Sequence, residues 1–362
     1  MSDHTPTSPT DPTGFPSSDA AHAAPAAPSA PSASAAPTAP TAPAARTGTE
    51  TATYDHALRV TPAWWRGVVA IVILAVVFLA LSLLLSVAAI TVDLLTGASS
   101  LEDLEDGTIA LTPWTMLANN LALAAMWPVA VLLQWWLFGV RPRWMSSVEG
   151  RFRWRWLGRL ALIIVPVWAV YVAVSFALSP LDAVVIDATV VAMVAVIVLT
   201  TPLQSAGEEF AARGLIQRSA GSWFRDPTTA FVAGAILSGA IFAVAHLAGD
   251  PWLIAYYFVF GVSLSITARG TGGLEAPILI HVTNNVLLLV PTALMSQTDQ
   301  VFQREAGVAG PFMLAPMAVC VLAAALSIWW ARRNGVTTTA PLPPTRLTPS
   351  PLAPPSLAPP SR

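Results

Sequence analysis

Apolar segments long enough to cross a lipid bilayer dominate this sequence and leave few folds open to it. Eight such segments lie between residues 67 and 331, at 67–92, 114–139, 157–179, 187–204, 228–248, 251–268, 274–295 and 309–331. A helix needs about 20 apolar residues to cross the hydrocarbon core, and backbone polar groups there must be satisfied within the protein. The pattern predicts an all-α, multi-pass protein of the cell membrane, a bundle of about eight transmembrane helices in contact with the lipid bilayer.

The two ends of the chain differ in composition from this apolar region. Residues 1–58 consist mostly of Ala, Pro, Ser and Thr, and residues 336–362 are rich in proline. Such segments bury too little apolar surface to offset the entropy lost on ordering. We therefore predict disordered N-terminal and C-terminal tails on either side of a membrane-embedded region at 59–335.

The distribution of arginine predicts an orientation. The chain contains no lysine, and together with its abundant alanine and proline this is typical of a GC-rich bacterial genome. Arginine collects after the second, fourth, sixth and eighth spans, most densely within 141–159. By the positive-inside rule, both termini are predicted to be cytoplasmic. A basic, aromatic segment can bind nucleic acid, but between two spans we interpret it as facing anionic lipid, and no nucleic-acid partner is expected.

Two adjacent carboxylates follow the fourth span, in the stretch "SAGEEFAARGLIQR" at 205–218. In a helix, Glu209 and Arg213 are four residues apart on one face, which favours an ion pair. Glu208 points about 100° away and is left free for proton transfer in a setting of low dielectric constant. The alternative is an ordinary ion pair at the end of an amphipathic helix.

Two further polar pairs lie inside predicted spans. "IFAVAH" places Phe242 and His246 four residues apart, and "IHVTNN" does the same for His281 and Asn285. Ionisable residues within spanning helices are costly and are functional candidates by default. Each histidine taken alone could equally be a hydrogen-bonded core residue.

The three pairs in this order resemble the motifs EExxxR, FxxxH and HxxxN of the CAAX protease and bacteriocin-processing family, the Abi group of intramembrane endopeptidases. The resemblance covers about residues 195–292 and includes all three motifs in complete form. It implies hydrolysis of a peptide bond near the membrane surface, in a membrane protein or peptide substrate that the sequence does not identify.

The resemblance also implies a role for each motif residue. Glu208 and His246 activate the attacking water, with Glu208 as general base. His281 and Asn285 stabilise the oxyanion of the tetrahedral intermediate. The residues expected to support the site are Glu209, Arg213 and Phe242.

Metal dependence is left open by the sequence. Glu208, His246 and His281 could form an open Zn²⁺ site that lowers the pKa of a bound water. The same residues could also act without metal, as a general base with an oxyanion hole. The zinc-protease pattern HExxH does not occur in the chain.

Other functions fit the sequence less well. "FGVSLS" around Ser263 lacks the second glycine of a rhomboid serine protease, and "LAGDP" has only Gly249 and Asp250 of an aspartyl type. The main alternative is a non-catalytic membrane protein, either a bacteriocin self-immunity or scaffold factor or a transporter. Asn119 and Asn120 could line a transport path, but a transporter is expected to show internal repeats, and the sequence has none.

The depth of the site in the membrane poses a difficulty. Counting residues places Glu208 near the cytoplasmic end of the fourth span and His246 far along the fifth span, toward the other side. Two explanations are open: the fourth helix continues past Arg213 within the protein, or the fifth begins as an interfacial helix near Trp223. We expect the motif residues to surround one cavity that opens in the cytoplasmic half.

Overall fold

The structure, a computed structural model, describes residues 51–106, 110–178 and 183–347. These residues contain eight helices that are long and apolar enough to cross a membrane. They are α1 (Trp64–Thr96), α2 (Pro113–Phe138), α3 (Trp154–Ala177), α4 (Ala188–Gly221), α5 (Pro227–Ala245), α6 (Pro251–Thr271), α7 (Glu275–Leu294) and α8 (Pro311–Arg333). Each overlaps one predicted span, so the prediction of an eight-helix membrane bundle is confirmed.

Shorter elements connect and interrupt these helices. Two short α-helices lie in loops, at Leu101–Glu105 and Thr298–Val301. Two 3₁₀ helices, Tyr54–Val60 and Pro142–Met145, precede α1 and α3. α2 consists of Pro113–Ala124 and Met126–Phe138, and α8 begins with the 3₁₀ turn Pro311–Met313. The strands β1 (Thr51–Thr53) and β2 (Thr339–Pro341) pair antiparallel, with Thr51 opposite Pro341.

One end of the bundle carries the arginine-rich loops, and we call it the basic face. It comprises the α2–α3, α4–α5 and α6–α7 loops together with the chain before α1 and after α8. Its parts are joined by hydrogen bonds from the segment before α1. The Tyr54 hydroxyl donates to the carbonyl of Met145, and His56 Nε2 lies 3.0 Å from the carbonyl oxygen of Phe224.

The other end of the bundle, which we call the opposite face, carries the remaining loops. Val185 N donates to the carbonyl of Leu294 at 2.8 Å, which joins the α3–α4 loop to the end of α7. Gly249 N donates to the carbonyl of Arg304 at 2.7 Å, which joins the α5–α6 loop to the α7–α8 loop. Successive loops therefore alternate between two ends of the bundle, as eight spans require.

This alternation makes the topology testable. A reporter fused after Glu105, on the opposite face, and one fused after Gly335, on the basic face, are expected to report different sides of the membrane. The positive-inside rule predicts the cytoplasmic side for Gly335. Paired alkaline phosphatase and fluorescent protein fusions measure this. The same side for both positions would contradict the count of eight spans.

Part of each predicted tail is folded against the bundle. Tyr54 and Leu58 are fully buried, and Arg218 Nε donates to the carbonyl of Tyr54 at 3.2 Å. After α8, Thr345 Oγ1 donates to the carbonyl of Phe138 at 2.9 Å. The predicted tail boundaries at 58 and 336 are therefore corrected for residues 51–58 and 336–347, because strand pairing and a few buried side chains anchor these polar segments. The remaining parts, 1–50 and 348–362, lie outside the described residues.

α5 packs closely on its neighbours through small residues. A Cβ added at Gly234 would lie 2.6 Å from the carbonyl oxygen of Gln217 in α4, and one added at Gly239 would lie 2.9 Å from a side chain of α6. Ser238 Oγ donates to the carbonyl of Ala212 at 2.9 Å. Small residues of this kind let helix backbones approach one another in a membrane. The contact places the end of α5, which carries His246, against the middle of α4.

Replacing Gly234 by alanine is expected to destabilise the bundle by about 1–3 kcal/mol, because the added methyl group overlaps a backbone oxygen of α4. Thermal unfolding in detergent measures the effect. The matched control is Gly158→Ala in α3, where a Cβ meets nothing within 4 Å, and which should be neutral or slightly stabilising. Equal stability of the two variants would show that α4 and α5 do not approach this closely.

Candidate active site

α4 is longer than the sequence predicted, and this resolves the difficulty of depth. Its α-helical part, Ala188–Glu209, continues into a π-helical segment, Phe210–Gln217, and ends at Gly221. The first of the two explanations is therefore correct: the helix runs past Arg213 within the protein. The predicted span ended at 204 because the polar residues beyond it read as a loop, although every residue of the π segment is buried. π-helical segments within α-helices frequently occur at functional sites.

Glu208 faces the interior of the bundle with a partly exposed carboxylate. Its side chain retains 12% of its accessible surface, whereas that of Glu209 retains none. Glu208 Oε1 accepts a hydrogen bond from Gln204 Nε2, one turn earlier in α4. Glu208 Oε2 lies 3.9 Å from His281 Nε2, a gap that a shared water can bridge with hydrogen bonds of ordinary length.

Glu209 is fully buried and binds two partners. Its Oε1 accepts from Arg213 Nη1 at 2.9 Å and lies 2.7 Å from His281 Nδ1. Arg213 also donates from Nη2 to the carbonyl of Gly261 at 3.1 Å and lies over the ring of Phe242, 4.6 Å from its centroid. The pairing of Glu209 with Arg213 is therefore present. Glu209 has a further contact, with His281, that helix spacing did not predict.

His246 caps the end of α5 with its imidazole held on both sides. Its Nδ1 lies 2.7 Å from the carbonyl oxygen of Phe242, and because a carbonyl only accepts, the hydrogen is on Nδ1. The ring stacks on Tyr257 of α6, with centroids 3.8 Å apart. Phe242 packs against both catalytic candidates, 4.6 Å from the ring of His246 and 5.9 Å from that of His281. In its neutral form, His246 thus presents Nε2 as a hydrogen-bond acceptor.

Asn285 lies one turn after His281 on α7 and bonds to the same part of α4. Its Nδ2 donates to Gln204 Oε1 and to Ser205 Oγ, both at 3.3 Å. Its Oδ1 accepts from Asn284 Nδ2 at 2.9 Å. These long bonds leave an amide donor that a substrate oxygen can compete for.

The four predicted catalytic residues line one cavity of about 600 Å³ inside the bundle. The residues are Glu208, His246, His281 and Asn285. Most of the remaining wall is apolar, from side chains of α1, α2, α6 and α7. A pocket of this size with a few convergent polar groups is typical of an active site, although the assigned roles stay predictions.

The cavity extends from these residues to the loops of the opposite face. Leu247, Phe302 and Arg304 belong to those loops and line it, whereas the described residues of its wall include none from the loops of the basic face. If the basic face is cytoplasmic, the cavity reaches the other side of the membrane. The expected opening in the cytoplasmic half therefore conflicts with the orientation from the positive-inside rule, and the reporter fusions decide between them.

Sequence reasoning missed several residues of the site. Gln204 bonds to both Glu208 and Asn285, and its position one turn before Glu208 was the available signal. Asn284 accepts from Trp168 Nε1 at 3.1 Å, a contact between helices that no local pattern reveals. Arg304 lies in a loop far along the chain, and nothing in its surroundings in the sequence connects it to the motifs.

The side chains are chemically suited to zinc but are not arranged to hold it. His246 and His281 each commit Nδ1 to an oxygen atom and leave Nε2 as an acceptor, which is the usual state of metal-ligating histidines. Among the described residues, however, no group of three or more His, Cys, Asp and Glu side chains could hold a metal ion. The metal stays a prediction, and the chemistry of the other groups does not depend on it.

The residues of the rival protease motifs lie away from the cavity. Ser263 is buried in α6, and Asp250 caps the start of α6; neither is part of the cavity wall. Asn120 Nδ2 donates to Thr200 Oγ1 at 2.8 Å and to Thr201 Oγ1 at 3.1 Å. Its side chain therefore joins α2 to α4. Unlike the residues of the rival motifs, Asn119 and Asn120 both line the cavity.

Comparison with known proteins supports the resemblance seen in the motifs. Residues 187–287 match the family model described as Type II CAAX prenyl endopeptidase Rce1-like. The match spans all three motifs, so the predicted resemblance is confirmed for this segment. No curated protein and no solved structure matches the chain.

Proposed function

We propose that this multi-pass membrane protein, whose residues 187–287 are similar to the Rce1-like CAAX prenyl endopeptidases, is an intramembrane endopeptidase in which Glu208 activates the attacking water. The family match supports peptidase activity in general. The observation that carries the mechanism is the difference between two neighbouring carboxylates. Glu209 is fully buried and bound by Arg213 and His281, whereas Glu208 faces the cavity.

The hydrolytic step uses Glu208 as the proton carrier. A water between Glu208 and His281 loses a proton to the carboxylate as its oxygen attacks the carbonyl carbon of the scissile bond. The same proton is then passed to the leaving nitrogen as the carbon–nitrogen bond breaks. The second hydrogen of the water needs an acceptor that orients it, and the Nε2 atom of neutral His246 or of neutral His281 can accept this hydrogen bond.

Asn285 is the candidate for stabilising the negative oxygen of the tetrahedral intermediate. Its Nδ2 is a neutral donor, and its present bonds to Gln204 and Ser205 are long enough to be exchanged. His281 keeps a hydrogen on Nδ1 for Glu209, so its Nε2 donates to the oxyanion only in the imidazolium form. Loss of one such donor typically costs about 10²–10³ in rate.

Comparison of membrane proteomes tests the function. Cells that express the wild-type protein are expected to contain new peptide termini that are absent from cells with Glu208→Gln. Glu102→Gln is the matched control, because Glu102 is an exposed carboxylate in a loop helix of the opposite face. Its proteome should equal that of the wild type. The absence of Glu208-dependent termini would favour a non-catalytic protein, such as an immunity or scaffold factor.

A further inference from the structure

A second cavity lies at the basic face, and it shares no lining residue with the candidate active site. Its volume of about 390 Å³ is within the range of ligand-binding sites. The segment that leads into α3 forms one wall, with Arg151, Arg153, Arg155 and Arg159, and residues 335–337 after α8 form the other. The cavity therefore lies between the ends of two spanning helices.

Hydrogen bonds hold the two walls of this cavity in place. Arg153 is buried, and its Nη2 donates to Glu275 Oε2 at 2.7 Å, which fixes the start of α3 against the start of α7. Arg153 Nη1 donates to the carbonyl of Thr337 at 3.1 Å. Val336 N donates to the carbonyl of Ala331 at 3.0 Å, which fixes the chain after α8. The shape of the cavity is thus set by anchored backbone.

The charges around the cavity do not cancel. Glu149 neutralises Arg151 in an ion pair of 2.7 Å, and Arg153 has its own carboxylate partner. Arg155 and Arg159 are exposed, and neither forms an ion pair with any described residue. They are four residues apart on α3, where like charges repel each other. An anion bound between them would remove this repulsion.

Trp156 provides an unpaired hydrogen-bond donor in the same wall. It lines the cavity and retains only 6% of its accessible surface. Its buried Nε1 has no hydrogen-bond partner among the described residues. The large majority of buried polar side-chain atoms have a partner. A ligand with an acceptor oxygen would therefore supply what this side chain lacks, and this observation is independent of the arginine charges.

The position of the cavity in the membrane indicates a lipid as the occupant. It lies where α3 enters the bilayer, and Trp154 at this point is 71% exposed, which is typical of a tryptophan at the headgroup level. Leu162 is 78% exposed and follows Arg159 on the same face of α3. This face thus presents positive charge at the cavity and apolar surface deeper in the membrane. A molecule with an anionic head and apolar chains matches both parts.

We propose that this cavity binds the headgroup of an anionic phospholipid. Its phosphate lies between Arg155 and Arg159, a headgroup oxygen accepts from Trp156 Nε1, and the acyl chains follow α3 past Leu162. Guanidinium groups match phosphate oxygens in charge and geometry, and basic pockets between transmembrane helices bind headgroups of this kind. A zwitterionic lipid fits less well, because the carboxylate of Glu149 is already paired and does not bind its cation. The proposal does not depend on the proposed peptidase function.

Native mass spectrometry of the full chain in detergent tests the proposal. Phosphatidylglycerol, which is anionic, and phosphatidylcholine, which is zwitterionic, are titrated with identical acyl chains. The first phosphatidylglycerol molecule is expected to bind at least about tenfold more tightly than the first phosphatidylcholine molecule, because two unpaired arginines attract its net charge. Soluble glycerophosphate at the same concentration should not displace it, since it lacks acyl chains. Displacement would show that the site takes a free phosphate and would overturn the assignment to lipid.

Variants assign the preference to the cavity. Arg155→Gln combined with Arg159→Gln should abolish it, and the corresponding double lysine variant should retain part of it, since lysine keeps the charge but not the fork. Trp156→Phe keeps the aromatic packing without the donor and should weaken phosphatidylglycerol binding several-fold. The matched control is Arg141→Gln combined with Arg225→Gln, which removes the same charge from exposed arginines of the basic face outside the cavity. It should retain the full preference.

Four results would overturn the proposal. They are equal binding of the two lipids to the wild-type protein, a preference that survives the double glutamine variant of the cavity, an equal loss in the control variant, and unchanged binding in Trp156→Phe. Thermal unfolding in detergent without added lipid shows whether each variant is folded. Because Arg155 and Arg159 are exposed and form no ion pair with described residues, their replacement should leave the unfolding temperature close to that of the wild type.

Discussion

Glu208→Gln is expected to yield a folded protein with turnover reduced by about 10²–10⁴-fold, the usual contribution of a general base. Glutamine keeps the size of the side chain, and its oxygen still accepts the hydrogen bond from Gln204. It lacks the carboxylate that takes a proton from water. Because the Glu208 side chain borders the cavity and forms no short ion pair, its loss of charge should cost little stability. Turnover of a substrate identified from the proteomes, together with thermal unfolding in detergent, measures both effects.

Gln204→Ala is the matched test of this assignment. It removes the hydrogen bond that orients Glu208 but leaves the carboxylate in place, so a partial loss of turnover is expected. Near-normal turnover of Glu208→Gln, combined with a well-folded but inactive Glu209→Gln protein, would reverse the roles of the two glutamates.

Glu209→Gln is expected to destabilise the protein by about 3–5 kcal/mol, because it leaves the charge of Arg213 buried without its partner. Helix spacing predicts about 0.3–0.5 kcal/mol for such a pair when it is exposed, and more when it is dehydrated in the bundle. Both side chains are fully buried, so the second case applies. Glu209 also holds His281 Nδ1. Activity should therefore fall with stability, through misorientation of His281.

Arg213→Gln should destabilise the protein to a similar degree, because it leaves the buried Glu209 carboxylate without its arginine partner. The double variant, with both residues replaced by glutamine, should lose less stability than the sum of the two single losses, since no isolated charge remains. Thermal unfolding of the four proteins forms a double-mutant cycle. Additive losses of stability would show that the two residues do not interact. Equal stability of all four proteins would show that the ion pair is exposed to solvent.

Two features of the structure depend only on residues close together in the sequence, and both could be predicted: the spanning helices and the ion pair of α4. The eight spans could be predicted from the hydropathy of consecutive residues. The bilayer requires a spanning helix to be apolar, whichever helices it packs against. The pairing of Glu209 with Arg213 follows from helix geometry within one turn. The fold class and the motif residues of the cavity could therefore be predicted without a tertiary structure.

Contacts between distant segments could not be predicted in this way. The hydrogen bond from His281 to Glu209 joins residues 72 positions apart, and its existence depends on how α7 packs against α4. The length of α4 was underestimated for the same reason, because hydropathy marks Glu208 and Arg213 as polar whether or not the protein surrounds them.

Arg304 and the end segments show most clearly what tertiary structure decided. Arg304 reaches the cavity because the Asp250 carboxylate, more than 50 residues earlier, anchors its loop. Tyr54 is buried because the basic face provides Met145 and Arg218 as hydrogen-bond partners. A sequence reports the polarity of each residue and its neighbours along the chain. Whether a polar group is buried, paired or free is decided by the surfaces that packing brings to it.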